Sequence, residues 1–385
     1  MLSKLNDKFT ILEEIYINIL IIGAYPNSII SFRGQLIKDL VRKGHNVTVM
    51  TAEADDSVVK DVRELGAKFC SYSVQRNGLN PLADLQTFLQ LKKLIKFYQP
   101  DKILAYTIKP IIWGGIATKF IKNIEFYPMV TGLGYAFYTD TLKRKVVGFI
   151  AKKLYKFALS GAKKVIFQNN DNMKVFVENG LTHSKKCHRV YGSGVDVDLF
   201  KAHSLPSKGL SFLLIARLLG DKGIREYAEA AERIKLIYPK AIFELLGPYD
   251  TSPDSISKTE INSWHQNDII NYLGETKNVL PFIKNCHIFT LPSYHEGLPR
   301  TTLEAMAIGR PILTTDAPGC RDTVIENKNG FLVPVKDSDA LFQKMKWFIE
   351  HPETWDRMAV ESRKLVCEYF DVKKVNSSIL KILNL

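Results

Sequence analysis

Glu296 and Glu304 are the residues of this sequence whose types and spacing point most directly to chemistry. They lie in FTLPSYHEGLPRTTLEAMAIG, residues 289–309, where an apolar strand pattern ends at Pro-Ser and a helical pattern starts near Pro299. Pro favours a helix start, and the free N–H groups and dipole of that first turn attract a diphosphate. The spacing is a little over two helical turns, roughly 3.6 residues each, so both carboxylates can accept hydrogen bonds from one polyhydroxyl ligand.

The pattern around these glutamates, PS-x-x-EG-x-P-x-x-x-x-EA-x-x-x-G-x-P, resembles the retaining GT-B glycosyltransferases of family 4. The resemblance covers residues 205–340 closely and the first half of the chain in outline. It implies that Glu296 contacts the donor sugar as a catalytic residue and that Glu304 holds the ribose hydroxyls of a nucleotide. Three further residues of the motif are expected to bind the donor: Gly297, Leu298 and Thr301.

A second resemblance to the family is the segment IARLLGDKG, in which Arg217 and Lys222 follow the first strand of the second half. Negative charge accumulates on a nucleotide diphosphate as its glycosidic bond breaks, and fixed cations stabilise that charge more than they stabilise the ground state. Arg217 and Lys222 are therefore expected to act in catalysis and donor binding, in the place of a metal ion.

Two other turns of the second half are weaker donor-site candidates. Gly247, in Leu-Leu-Gly-Pro, occupies the place where the family usually shows a glycine-rich turn, and the sequence departs from the family pattern there. Leu273 and Gly274 resemble the turn that meets the nucleotide base through its main chain. The identity of the base is not readable from these residues.

The D-x-D sequence at Asp196 and Asp198 is similar to the motif with which some glycosyltransferases hold a divalent cation. It lies in a segment that resembles the family's N-G-V-D-x-x-x-F linker, with Ser193 in place of Asn, and the sequence offers no third oxygen ligand nearby. No metal and no other cofactor is expected.

The elements that must position these residues alternate between strand and helix, which predicts an α/β fold with parallel, doubly wound sheets. Strands are expected at 46–51 and 102–106 in a first cycle and at 288–291 in a second cycle. The Gly-, Ser- and Pro-rich segment at 190–206 reads as a linker. Together with the resemblance, these patterns predict two facing Rossmann-like domains with a cleft between them: an acceptor-binding domain at 1–203, a nucleotide-sugar domain at 204–360, and a helix at 361–385 that packs back on the first domain.

The first half holds the candidates for the acceptor side of the cleft. The turn GAYPNSIISFRG can bring Arg33 toward the cleft, with Gly34 partly replacing a double glycine that relatives show. After a strand at 126–130, T-G-L-G-Y resembles the subgroup that glycosylates polyprenyl diphosphate sugars for O-antigens, capsules and lipid-linked glycans. The acceptor candidates of that loop are Thr131, Gly132, Gly134 and Tyr135.

Residues 143–164 carry eight basic residues and no acid, with Val147, Ile150, Leu154 and Phe157 at helical spacing. A basic amphipathic helix of this kind can lie on an anionic bilayer, although an ordinary helix with its apolar stripe in the core remains open. The residues expected at the membrane surface are Lys143, Arg144, Lys145, Lys152, Lys153 and Lys156. Residues 1–204 hold 30 Lys and Arg against 17 Asp and Glu, whereas residues 205–385 hold 23 of each, which favours the membrane interpretation.

The five cysteines are scattered, which indicates reduced thiols, and no apolar run reaches the length of a membrane span. These features, with the resemblance, predict a cytoplasmic enzyme on the inner face of the cytoplasmic membrane. The expected reaction transfers a sugar from a UDP-sugar to a polyprenyl (undecaprenyl) diphosphate sugar and retains the anomeric configuration. The first candidate is α-1,3 transfer of an N-acetylhexosamine, N-acetylgalactosamine in particular. The alternatives are a UDP-N-acetylglucosamine 2-epimerase, which needs neither E-x7-E nor an acceptor, and a basic nucleic-acid-binding protein, although no nucleic-acid module is recognisable.

Overall fold

The first domain is built on a seven-stranded sheet. The computed structural model describes residues 16–75, 80–133, 142–207 and 209–385, without the side chains of residues 142–144. All strand pairs of the sheet are parallel, in the order β3-β2-β1-β4-β5-β6-β7. Its strands are β1 Asn18–Ile22, β2 Asn46–Thr51, β3 Lys68–Ser71, β4 Lys102–Tyr106, β5 Glu125–Val130, β6 Val165–Phe167 and β7 Cys187–Arg189. Its helices are α1 Pro26–Arg42, α2 Asp56–Glu64, α3 Pro81–Tyr98, α4 Gly115–Thr118, α5 Leu142–Ser160 and α6 Asn170–Glu178.

The second domain repeats this architecture with a six-stranded parallel sheet, in the order β10-β9-β8-β11-β12-β13. Its strands are β8 Ser211–Ile215, β9 Ile242–Leu246, β10 Asn271–Tyr272, β11 Ile288–Leu291, β12 Ile312–Thr315 and β13 Gly330–Val333. Its helices are α7 Ile224–Ile237, α8 Lys258–Gln266, α9 Leu280–Asn285, α10 Arg300–Ile308, α11 Ser338–Glu350 and α12 Trp355–Leu365, and the chain ends in α13 Val372–Leu383. The expected α/β architecture with two parallel doubly wound sheets is confirmed.

The central strands are buried and mostly apolar because helices cover both faces of each sheet. All five residues of β4 and of β8 are buried, for example. The strands expected at 46–51, 102–106 and 288–291 begin and end where the sequence pattern placed them. Both sheets are parallel, so the carboxyl ends of their strands lie at one edge, where ligands bind in open sheets of this kind.

The C-terminal helix α13 returns to the first domain. Its buried residues Val375 and Ile379 join the apolar core between α1 and the first sheet. The amide of Asn376 donates to Asp39 of α1 at 2.7 Å, and the ammonium of Lys164 donates to the carbonyl of Ile382 at 2.7 Å. The chain therefore crosses between the domains twice.

Helix α5 does not turn all four residues of its apolar stripe toward the core. Ile150 and Phe157 are each 52% exposed, so the alternative in which they face the core together with Val147 and Leu154 does not hold. The buried residues of α5 are instead three small residues, one tyrosine and one leucine: Gly148, Ala151, Tyr155, Ala158 and Leu159. The helix thereby leaves apolar side chains between its exposed lysines.

Ile379→Ala tests the packing of α13 on the first domain. Ile379 is fully buried, and we expect its truncation to lower the free energy of unfolding by about 2–5 kcal/mol. Ile237→Ala removes the same atoms from a half-exposed position at the end of α7 and is expected to cost no more than about 0.5 kcal/mol. Thermal denaturation of both variants measures the difference. Equal losses would mean that α13 is not packed as described.

Candidate functional site

The two domains meet at the loop that follows β11. A Cβ atom on residue 297 would lie 1.9 Å from the carbonyl oxygen of Thr131 and 2.7 Å from the side-chain oxygen of Gln168, so the position has room only for glycine. Thr131 follows β5 and Gln168 follows β6, both at the carboxyl edge of the first sheet. The loop that carries Glu296 and Gly297 is therefore held against the first domain.

The side chain of Glu296 is paired with Lys222, a contact that the sequence motifs did not predict. The Lys222 ammonium donates to the Glu296 carboxylate at 2.7 Å, and the two side chains are 13% and 20% exposed. Burial acts to lower the pKa of Lys222, but the charges of Glu296 and Asp221 outweigh it, so the pKa lies above its ordinary value. Lys222 is a fixed positive charge at neutral pH.

Arg217 is placed differently from Lys222. Its guanidinium donates to the Asp250 carboxylate at 2.6 Å and is 43% exposed. The turn after β8 holds it there, since the Leu218 N–H donates to the carbonyl of Pro248. The structure thus brings Lys222, and not Arg217, into contact with Glu296.

Glu304 lies on α10 and is only 4% exposed. Burial raises the pKa of its carboxyl group, and the guanidinium of Arg300, which donates to it at 2.8 Å, partly offsets that effect. The same guanidinium stacks over the ring of Phe32 in the first domain, with its carbon 5.5 Å from the ring centroid. Arg300 therefore covers Glu304 at the junction of the domains.

The remaining donor candidates lie in turns at the carboxyl edge of the second sheet. The Gly247 N–H donates to the Gly274 carbonyl at 2.8 Å, and the Leu273 N–H donates to the carbonyl of Leu245 at 2.9 Å, so these two turns are adjacent. The Thr301 hydroxyl donates to the carbonyl of Ile215, the last residue of β8. Leu298 is buried, and its side chain packs on Gly192 of the linker.

The acceptor candidates of the first domain are only partly at the junction. Thr131 and Gly132 follow β5 there, while Gly134 and Tyr135 lie outside the described residues. Gly34 lies within α1, nearest to Leu65, so the idea that it replaces a glycine of the first turn is not supported. Lys143 and Arg144 begin α5, and their side chains are outside the described part of the chain.

Arg33 is buried rather than exposed on the cleft. It is 2% exposed because helical spacing puts it on the face of α1 that packs on the sheet. Its guanidinium lies over the ring of Tyr106 at 5.1 Å and donates to the sulfur of Met129 at 2.9 Å. Burial lowers the pKa of Arg33 to about 10. The expectation that Arg33 reaches into the cleft is therefore wrong for this conformation.

The D-x-D aspartates are engaged by the protein itself. Asp196 accepts from the main-chain N–H groups of Asp198 and Leu199, and Asp198 pairs with Lys373 at 2.6 Å. Within the described residues, no group of three or more His, Cys, Asp or Glu side chains is arranged to hold a metal ion. Metal independence itself stays a prediction.

Sequence reasoning missed the residues of the first domain that hold the Glu296 loop. Asn169, directly after β6, donates through its amide to the carbonyls of Glu296 at 3.2 Å and Gly297 at 2.6 Å. The side-chain oxygen of Asn172 accepts a hydrogen bond from the Nε2–H of His295 at 3.0 Å. The available signal was the polar run Gln-Asn-Asn-Asp-Asn after a strand, at the edge where ligands bind.

Comparison with known proteins finds two family models that together span most of the chain. The model described as "Glycosyl transferases group 1" matches residues 197–365, and the model described as "Glycosyl transferase 4-like" matches residues 27–169. The first match contains the paired Glu296 and Lys222 and the buried Glu304.

Two curated relatives have names that describe a reaction. The N,N'-diacetylbacillosaminyl-diphospho-undecaprenol alpha-1,3-N-acetylgalactosaminyltransferase of Campylobacter jejuni is 31% identical over 84% of this chain and 87% of the relative. The UDP-Gal:alpha-D-GlcNAc-diphosphoundecaprenol alpha-1,3-galactosyltransferase of Escherichia coli is 25% identical over 70% and 71%.

Solved structures share the fold at low sequence identity. A glycosyltransferase from Rickettsia africae superposes with a TM-score of 0.76 at 20% identity, over 95% of this chain and 97% of that one. HepE from Anabaena in complex with UDP and glucose superposes with a TM-score of 0.78 at 19% identity, over 96% and 100%. These likenesses establish the two-domain fold alone.

The Lys222–Glu296 pair makes a prediction about stability. Lys222→Met leaves a largely buried carboxylate without its cation, and we expect it to lower the free energy of unfolding by about 2 kcal/mol. Adding Glu296→Gln should recover part of that loss, because the amide needs no counter-charge. Arg217→Met, at the more exposed pair, is the control and is expected to cost no more than about 1 kcal/mol. Thermal denaturation at pH 7 measures all three, and simple additivity of the first two changes would contradict the pairing.

Proposed function

Because this chain belongs to the group 1, family 4-like glycosyltransferases and has their GT-B fold, we propose that it transfers a sugar with retention from a UDP-sugar to a polyprenyl diphosphate-linked sugar. The observation that carries the proposal is the Lys222–Glu296 pair at the junction of the two domains. The pair places a permanent cation beside a carboxylate. A nucleotide diphosphate sugar can use the cation for its diphosphate and the carboxylate for the hydroxyl groups of its sugar.

The donor side of the proposal assigns UDP to the second domain. HepE, which shares the fold, was solved with UDP and glucose, and the E. coli relative is named for UDP-Gal. The C. jejuni relative is named for transfer of N-acetylgalactosamine in an α-1,3 linkage. We assign an N-acetylhexosamine, with α-1,3-linked N-acetylgalactosamine first, as the sugar that this chain transfers.

The chemistry follows from the positions of the charged groups. Lys222 stabilises the negative charge that grows on the departing UDP, and its raised pKa keeps it protonated at neutral pH. Glu296 accepts hydrogen bonds from the donor sugar, and Glu304 accepts them from the ribose. Arg217, at the exposed pair with Asp250, adds positive charge at the rim of the site.

We assign front-face attack as the route to retention. In this route the oxygen of the acceptor hydroxyl bonds to the anomeric carbon while its proton passes to a donor phosphate oxygen. The bond between the anomeric carbon and UDP breaks, and UDP leaves from the same face. No side chain has to form a covalent bond to the sugar, and Lys222 and Arg217 supply the charge that a metal ion supplies elsewhere. Closure of the domains around the substrates excludes water.

The acceptor side of the proposal places the first domain on the inner face of the cytoplasmic membrane. Both named relatives act on undecaprenyl-linked diphosphates according to their names. Helix α5 exposes Phe149, Ile150 and Phe157 together with Lys145 and Lys153. Apolar and basic side chains on one face suit an interfacial helix that lies on anionic lipid.

A second exposed apolar stripe supports the same orientation. Leu82, Leu85 and Leu89 of α3 are all more than half exposed. Phe120, which follows α4, contacts Phe88 of α3. Its neighbour Lys119 lies over the ring of Phe157 on α5, so this segment lies between α3 and α5. The described part of the chain contains no helix that is both long and apolar enough to cross a bilayer.

The reaction is tested by incubating the protein with a panel of UDP-sugars and following UDP release, with and without a polyprenyl diphosphate N-acetylhexosamine and with EDTA throughout. We expect acceptor-dependent release from one donor, unaffected by EDTA, and an α-configured product by NMR. Glu296→Gln should lower kcat by roughly 100-fold, as expected for loss of a group aimed at the reacting sugar. Isomerisation of a UDP-sugar without acceptor would point to the epimerase instead.

The membrane surface is tested with the double variant Phe149→Gln/Ile150→Gln. Burial of each of these side chains is worth about 1.5–3 kcal/mol, so binding to vesicles containing phosphatidylglycerol should weaken by well over about tenfold. The control is Leu236→Gln/Ile237→Gln, which removes two exposed apolar residues from the second domain. Co-sedimentation measures both. Equal binding by the two double variants would exclude α5 as the membrane contact.

A further inference from the structure

The main chain of Glu296 and Gly297 lies between the two domains and contacts both. On the side of the second domain, a Cβ atom on residue 319 would lie 2.5 Å from the carbonyl oxygen of Glu296 and 2.7 Å from that of Gly297. Gly319 also has a left-handed φ of 78°, so glycine is required there for two reasons. Both carbonyl oxygens are thus packed against Gly319.

On the side of the first domain, the same two carbonyl oxygens accept hydrogen bonds from the amide group of Asn169, at 3.2 and 2.6 Å. Asn169 is 0% exposed, and its side-chain oxygen accepts from the main-chain N–H of Asn172 at 2.8 Å. An amide turned the other way would set its oxygen against two carbonyl oxygens and its NH₂ against an N–H. The orientation of the amide is therefore fixed by its partners.

These contacts give Asn169 two separable tasks. Its oxygen caps the N-terminus of α6, which is a common task of asparagine at a helix start. Its NH₂ group binds the second domain, across 127 residues of sequence, at the residue whose carboxylate faces Lys222. Capping α6 requires only the side-chain oxygen of Asn169.

We infer that Asn169 is a positioning residue for Glu296: the first domain uses it to set the main chain from which the Glu296 carboxylate reaches Lys222 and the donor sugar. This inference rests on the proposed function for the role of Glu296. A side chain of the first domain then determines part of the geometry of the donor site in the second domain.

Neighbouring residues of the first domain form further contacts with the Glu296 loop and the segment beside it. Asn172 shares a hydrogen bond with His295, the residue before Glu296, at 3.0 Å. Asp171 pairs with Arg321 at 3.0 Å, and Arg321 follows Gly319 by two residues. The start of α6 thereby contacts the Glu296 loop and the segment that follows Gly319, and Asn169 contacts the Glu296 main chain directly. Displacement of a reacting group by roughly 1 Å can cost about 100-fold in rate, so such a grip matters for catalysis.

The decisive variant is Asn169→Asp, because a carboxylate keeps the oxygen that caps α6 and loses the NH₂ that binds the loop. The matched control is Asn179→Asp at the exposed C-terminal end of the same helix. Two readouts are needed: hydrogen exchange of the peptide spanning residues 293–299, and steady-state kinetics of transfer. The exchange reports on the N–H groups of Tyr294 and Glu296, which donate to the carbonyls of Asp221 and Pro318.

For Asn169→Asp we expect exchange in residues 293–299 to accelerate by roughly 2- to 10-fold while exchange in α6 stays unchanged. We expect kcat to fall by roughly 10- to 100-fold with little change in the affinity for UDP, which the second domain holds. Burial and the two facing carbonyl oxygens should raise the pKa of the introduced carboxyl group. The loss should therefore shrink as the pH is lowered from 9 to 6, since the protonated carboxyl group can again donate to the loop carbonyls. The control should show none of these effects.

Unchanged loop exchange together with unchanged kcat would overturn the inference. A loss of kcat that is the same at every pH, with faster exchange in α6, would also overturn it, because Asn169 would then act only as a helix cap. If the unaltered protein transfers no sugar, the proposed function fails, and the exchange measurement alone still decides whether Asn169 positions the Glu296 main chain.

Discussion

The structure of the site depends on how closely the loop at Gly297 approaches the first domain. The carbonyl of Thr131 occupies the space in which any side chain at residue 297 would have to lie. This contact sets the separation of the two domains at the carboxyl edges of their sheets. The Lys222–Glu296 pair, Arg300 over Phe32 and the hydrogen bonds of Asn169 to the loop lie around this contact.

Two buried cations on either side of this contact are held in different ways. The ammonium of Lys222 lies 2.7 Å from the Glu296 carboxylate, so the pair places no net charge in its largely buried surroundings. Arg33 rests on an aromatic ring, a sulfur atom and the carbonyl of Phe32. Among the described residues, the Nε–H of Arg33 has no hydrogen-bond partner, and burial lowers the pKa of Arg33. An anionic substrate near Lys222 would compete with Glu296 for the ammonium and free that carboxylate for a sugar hydroxyl, whereas Arg33 contributes to the shape of the first domain.

The sequence was sufficient for features that depend on neighbours along the chain. The strands at 46–51 and 102–106 follow from apolar runs. The motifs named Glu296 and Lys222 as candidates but did not predict that their side chains pair. Features that depend on tertiary packing were not readable. The outward position of Phe157 on α5 depends on which small residues fit against the sheet, and the role of Asn169 depends on a loop that is 127 residues away. A polar residue at a strand end indicates a ligand edge, but the sequence does not show which domain it contacts.

The path of the chain limits how the two domains can move around this site. The linker and the segment that leads into α13 cross between the domains side by side, because the Val195 N–H donates to the carbonyl of Phe370 and the Val372 N–H donates to the carbonyl of Val195, each at 2.9 Å. Any change in the angle between the domains must therefore bend both crossings together. Since α13 is packed into the first core and Asn169 at the start of α6 donates to the carbonyls of Glu296 and Gly297, such a bend would also act on the main chain of the Glu296 loop. The angle between the domains and the position of Glu296 are therefore linked through these contacts.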